Sequence, residues 1–118
     1  MICRNEDVNF KSNLALWLNI ADYFVFIMDS RNDDNSEVSI KTILTSGGIS
    51  GIGPKAKGYH IFKSEFIGFG QARTLSLQKA WETFPQASHV LIADPDWRPS
   101  CRLADQIRRS LRFHRRKS

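Results

Sequence analysis

A chain of 118 residues has room for one compact domain and not two. Its longest uninterrupted apolar run, Tyr23-Phe24-Val25-Phe26-Ile27-Met28, is too short to cross a bilayer as a helix. The two cysteines, Cys3 and Cys101, make neither a CxxC metal hook nor a disulfide framework and read as partly buried thiols in a reducing compartment. The net charge of +5 is concentrated at one end. Residues 102–118 hold seven basic side chains and one acid, whereas residues 1–101 hold 10 basic and 11 acidic ones. An argument from basicity to nucleic acid therefore applies to the tail alone.

Residues 1–3 read as the stub of a strand, followed by a polar loop through Asp7. From Val8 to Leu18 the apolar residues Phe10, Leu14, Leu16, Trp17 and Leu18 approach a 3.6-residue period and predict a helix. Residues 23–28 are short, apolar and rich in β-formers, as expected of a strand buried on both faces of a parallel sheet. The polar stretch 29–36 is full of turn and cap formers. Asn35 or Ser36 is expected to cap a helix running to about Thr45, with Val38, Ile40, Ile43 and Leu44 as its apolar positions and Gly47-Gly48 as its stop.

Residues 47–58 form a glycine-rich connector. Gly48 to Lys55 resembles a phosphate-binding loop, but Pro54 precedes the lysine and no Ser or Thr follows it. A dinucleotide fingerprint also fails here, because the segment follows a helix instead of a strand. Residues 58–62 predict a third strand. Residues 69–84 predict the clearest helix, with Ala72, Leu75, Leu77, Ala80, Trp81 and Phe84 buried and Pro85 ending it. Residues 89–93 predict a fourth strand leading into Asp94-Pro95-Asp96-Trp97. A last amphipathic helix, about 103–113, carries Leu103, Ile107 and Leu111 on one stripe. The alternation predicts an α/β layer structure with a mostly parallel, Rossmann-like sheet of about four strands.

In open parallel sheets ligands bind beyond the carboxyl ends of the strands. Asp29 closes the second predicted strand, and Asp94 and Asp96 follow the fourth. Pro95 restricts its own backbone and biases Asp94 toward extended geometry, which stiffens the pair. Two carboxylates so held suit Mg²⁺ or Mn²⁺ bridging to a diphosphate. The competing reading of Asp94-Pro95-Asp96 is a solvated turn.

The order of the motifs adds a resemblance. Met1-Ile2-Cys3-Arg4-Asn5-Glu6 looks like the strand-plus-Asn-Glu opening of family 2 glycosyltransferases with the GT-A fold. Residues 26–36, FIMDSRNDDNS, are similar to that family's apolar strand followed by D-[ST]-G-S-x-D-[GN]-[ST]. Phe69-Gly70-Gln71-Ala72-Arg73-Thr74 resembles its ARN-x-[AG] helix start, and Val90-Leu91-Ile92-Ala93-Asp94-Pro95-Asp96 its [FIL]LDAD metal site. The resemblance covers residues 1 to about 97. It implies that residues 1–101 are a partial nucleotide-diphospho-sugar-binding domain, with 102–118 a basic amphipathic helix and tail.

The resemblance also implies roles. Asn5 and Glu6 would lie beside base and ribose, Asp29 would accept a hydrogen bond from the base, and Asp34 would shape the same loop. Arg73 would approach the nucleotide, Asp94 the ribose or the metal, and Asp96 would hold Mn²⁺ or Mg²⁺ on the diphosphate of a nucleotide-diphosphate sugar, a UDP-sugar foremost. Each keeps a structural alternative: a cap for Asn5 and Glu6, a turn for Asp34, a surface ion pair for Arg73. The chain departs from the family pattern at Arg31, where glycine is usual, at Thr74, and at Trp97.

The reaction implied is transfer of a sugar to an acceptor hydroxyl on a sugar, lipid or protein. No general base for it can be nominated in this chain, which is expected to be a fragment binding donor only. The cytoplasm or a cytoplasmic face is the expected location, with no nucleic-acid partner and no membrane segment. Two alternatives come from other classes: a non-catalytic nucleotide-binding or interaction module, favoured by Arg31, and binding of anionic surfaces by the basic tail.

Overall fold

A computed structural model describes residues 1–47, 55–66, 68–100, 102–103, 105–107 and 109. The sheet is built around β2 (Tyr23–Asp29), whose aromatic and branched residues suit a pleated, doubly covered strand. β1 (Ile2–Cys3) pairs parallel along one side, Ile2 opposite Ile27 and Cys3 opposite Met28. β3 (Gly58–Ser64) pairs parallel along the other, from Tyr23 opposite Gly58 to Asp29 opposite Ser64. The order is β1-β2-β3.

Helices cover both faces. On one, α1 (Asp7–Asn9), a π-helical turn (Phe10–Leu14) and α2 (Ala15–Trp17) follow one another without a break. They bury Phe10, Leu14 and Trp17 against Phe24, Phe26 and Met28 of β2. α3 (Ser36–Ser46) completes this layer with Ile40, Ile43 and Leu44, all at most 2% exposed. Each such side chain contributes roughly 1.5–3 kcal/mol by leaving water, before the entropy of ordering it. Gly47 ends α3 at φ 82°, a left-handed position that glycine adopts without strain, and returns its N–H to Ile43 O.

α4 (Phe69–Thr83) covers the other face, with Ala72 and Leu75 near Ile27. The helices between β1 and β3 thus share one side of the sheet and the helix after β3 takes the other. This is an α/β domain with a parallel sheet, consistent with part of a Rossmann-like fold.

Three expectations need correction. Residues 89–93 are irregular and form no strand, although Ala93 is buried at 4% exposure. The reason is pairing: at that edge β1 offers only Ile2 and Cys3, so no ladder exists for the segment to join. Leu77 faces outward on α4, and Ser76, not foreseen, is buried in its place. Of the apolar positions of α3, Ile40, Ile43 and Leu44 are buried and Val38 is 62% exposed. The side chains of Asn35 and Ser36 do not cap α3; the Asp34 carboxylate accepts the Ser36 N–H at 2.9 Å.

Residues 102–103 and 105–107 are helical, in line with the expected last helix. Leu111, most of the basic tail, Cys101 and residues 48–54 of the glycine-rich connector lie outside the described residues.

Candidate functional site

The loops that leave β1 and β2 lie side by side at the carboxyl end of the sheet and are sewn together. Asn5 N donates to Asn32 Oδ1 at 2.6 Å, and Asp33 N donates to Asn5 Oδ1 at 2.9 Å. Asn5 sits at φ 51°, a left-handed conformation that asparagine tolerates better than most residues. Glu6 N donates to Ser36 Oγ at 2.9 Å, and Asp7 N to Asp34 Oδ2 at 3.1 Å. Ser36 Oγ also donates to Asp34, and Ser39 Oγ to Asp7. The Glu6 carboxylate accepts from Asn9 Nδ2 at 2.6 Å. So Asn5, Glu6 and Asp34 do come together, with much of their bonding spent on holding the rim of the sheet.

Asp29 stands at the centre of that rim, at the last position of β2 and 1% exposed. A buried carboxylate must be answered by charge and hydrogen bonds. Arg31 supplies them: its N–H and Nε both donate to Oδ1 at 3.0 Å, and Nη2 to Oδ2 at 2.7 Å. Arg4 Nη1 adds a second cation at 3.9 Å. The Arg31 side-chain bond, aided by its backbone N–H, pulls the Asp29 carboxyl down to about 2 despite the raising effect of burial. Asp7 is lowered by the Ser39 hydroxyl and then by Lys11 at 3.1 Å. Asp34 is lowered because the bonds from Ser36 and Asp7 N outweigh burial. These carboxylates are therefore held ionised. They are equipped to orient donors and cations, and none is poised to exchange a proton near neutral pH.

The acidic turn is held by the first helical layer. Trp97 N donates to Asp94 O at 3.1 Å, closing a turn with Pro95 and Asp96 at its corners. Asn13 Nδ2 donates to Pro95 O at 3.2 Å, Trp17 Nε1 to Trp97 O at 3.3 Å, and Arg98 Nη1 to Ser12 O at 3.3 Å. Asp94 is half-buried and near enough to the Met1 ammonium to attract it, whereas Asp96 is exposed. Asn13 belongs to the π-helical turn, a distortion often found at functional sites. The side-chain hydrogen bonds that hold this turn run to the first helical layer, through Ser12, Asn13 and Trp17. Arg73 is exposed near the start of α4.

Among the described residues no three of His, Cys, Asp and Glu gather into a metal site. An exposed Asp96 beside a half-buried Asp94 nevertheless fits a hard cation that takes one or two carboxylates and completes its shell from phosphate and water.

A groove of about 620 Å³ lies elsewhere, lined by Met1, Tyr23, Val25, Trp81, Phe84 and Leu91 among others. It opens at the start of β2. There the Met1 ammonium donates to Val25 O at 2.7 Å, and among the described residues the strand edge before it has no parallel neighbour. None of the expected site residues lines the groove.

The sequence assigns no role to Arg4, Asn13 or Asn32, offers Ser36 only as a helix cap, and marks Arg31 as a departure that favours a non-catalytic module. The i, i+2 spacing of Asp29 and Arg31 was the available signal for their pairing. No helix among the described residues is long and apolar enough to cross a membrane. No protein-family model, curated protein or solved structure matches the chain.

Proposed function

We propose that this chain binds the nucleotide-diphosphate end of a sugar donor, as part of a glycosyltransferase resembling family 2 enzymes with the GT-A fold. The observation that carries the reading is the rim itself. Two loops at the carboxyl ends of adjacent parallel strands are fixed to each other by Asn5, Asn32, Asp34 and Ser36, around a buried, ion-paired Asp29. Such a rim is where open α/β sheets hold nucleotides. Asn5, Glu6, Asp34 and Arg73 would border the nucleotide, and Asp96 with Asp94 would hold Mn²⁺ or Mg²⁺ on its diphosphate. When bound, the cation would neutralise charge on the departing phosphate. The acceptor hydroxyl and its base lie outside what these residues supply.

A second reading, a nucleotide-binding module without turnover, is favoured by Arg31. It occupies the buried carboxylate that the family pattern leaves to the base.

Calorimetric titration of the 118-residue chain with UDP and GDP, each with Mn²⁺, tests the proposal. Saturable binding that Asp96→Ala weakens about tenfold or more would support it. Absence of binding by both nucleotides would sink it.

A further inference from the structure

We infer that Arg31 reads the base of the bound nucleotide and selects guanine over uracil. The inference rests on the nucleotide-binding reading above and concerns which nucleotide enters the same site.

Asp29 has little left to offer a ligand. Of about four lone-pair positions on a carboxylate, three are filled by the N–H, Nε and Nη2 of Arg31, and the residue is 1% exposed. The group turned toward solvent at the end of β2 is the guanidinium, whose side chain is 51% exposed. It lies on Asp29 through its Nε and Nη2 edge. A planar guanidinium so held directs its second edge, Nη1 with the remaining Nη2 hydrogen, away from the carboxylate. No atom of the described residues accepts a hydrogen bond from Nη1. Two bonds already fix the plane, so the free edge is ordered before a ligand arrives.

An ordered pair of parallel donors fits two adjacent acceptors. Guanine presents O6 and N7 in that arrangement; adenine pairs an acceptor with a donor on the same edge. Uracil would turn its N3–H toward the guanidinium, donor against donor, with at most a single carbonyl to bond. A desolvated donor left without an acceptor costs binding energy.

Phosphate is the other partner an arginine commonly takes, and the surroundings oppose it here. The loops at 4–7 and 29–34 carry Glu6, Asp7, Asp29, Asp33 and Asp34 against Arg4 and Arg31. Asp7 is offset by Lys11, and Glu65 adds a further negative field at Arg31. A dianion would meet that excess of carboxylates, whereas a neutral acceptor edge would not. The same excess disfavours placing the diphosphate beside Arg31 and leaves it to the cation and the Asp94–Asp96 turn.

The test is calorimetric titration of the full chain with GDP and with UDP, each with Mn²⁺, for the wild type and Arg31→Lys. Lysine keeps a cation beside Asp29 and removes the donor fork, and thermal unfolding checks that the variant is folded. GDP should bind roughly tenfold tighter than UDP to the wild type. In Arg31→Lys the two should come within about twofold, through loss of GDP affinity with UDP little changed. Equal binding of the two by the wild type, tighter UDP, or a GDP preference that survives Arg31→Lys overturns the inference and leaves the donor-binding reading standing. So does an equal loss of both nucleotides in the variant, the signature of a phosphate contact. No binding of either nucleotide removes the donor-binding reading, and the inference with it.

Discussion

Asn13 and Pro95 are joined by a hydrogen bond from Asn13 Nδ2 to Pro95 O at 3.2 Å, across 82 residues of chain. The donor is buried, 6% exposed, in a π-helical turn under the sheet, and the acceptor is the corner of the acidic turn. With Trp17 Nε1 on Trp97 O, it makes the first helical layer the anchor of the Asp94–Asp96 pair.

Removing that anchor should cost stability and position at once. Asn13→Ala leaves Pro95 O short of a partner and should destabilise the chain by about 1–3 kcal/mol in chemical denaturation. If the turn holds the cation, Mn²⁺-dependent nucleotide affinity should fall further than in Ile43→Val, whose cost of roughly 0.5–1.5 kcal/mol comes from the core alone. Equal affinities in the two variants would detach Asn13 from the site.

Acid should undo the rim. Asp29 titrates at about 2 in the fold against 3.8 for the free group, because Arg31 holds it ionised. A depressed carboxyl contributes stability that is complete above the ordinary value and is lost as pH falls from about 4 through about 2. Asp7, Asp34 and Glu37 are lowered as well and act in the same direction. Denaturation midpoints should therefore drop below pH 4, and Asp29→Asn should show a shallower drop than the wild type. An unchanged slope in Asp29→Asn would contradict the pairing seen at the end of β2.

Cys3 should be chemically silent in the folded chain. It is 2% exposed, and burial pushes its thiol up to about 12. In a Cys101→Ser background, a thiol reagent at pH 8 should label Cys3 only as fast as the protein opens, and fully in denaturant. Rapid labelling of the native protein would place β1 outside the core.

Gly58 should resist substitution for reasons of space. An added Cβ would meet Phe84 Cε1 at 3.0 Å and Tyr23 Cδ1 at 3.3 Å, beneath a ring pair stacked at 4.8 Å between centroids. Gly58→Ala must shift the Phe84 ring and should cost about 1 kcal/mol or more. A neutral or stabilising result in thermal unfolding would mean that the end of α4 yields readily.

The elements legible in the sequence are those whose signal is local. Tyr23–Asp29 announces itself by an apolar run, α3 by its spacing and Gly47, and α4 by its length before Pro85. Residues 89–93 send the same apolar signal and form no strand, because a strand requires a neighbour that β1 is too short to provide. The site divides in the same way. Asp29 and the Asp94–Asp96 turn could be placed by sequence position. That Asp29 would be consumed by Arg31, and that Asn5 and Asp34 would stitch two loops, depended on side-chain directions that no periodicity encodes.

The central claim is that a nucleotide and its cation bind at the rim and the acidic turn, not in the 620 Å³ groove at the start of β2. The most direct measurement is amide NMR of the ¹⁵N-labelled chain with GDP and substoichiometric Mn²⁺, whose unpaired electrons broaden nearby resonances. Broadening centred on Asp96 and Trp97, with base-dependent shifts at Arg4, Asn5 and Arg31, is the expected result. Broadening centred on Tyr23, Phe84 and Leu91, or none that depends on the nucleotide, would contradict the account.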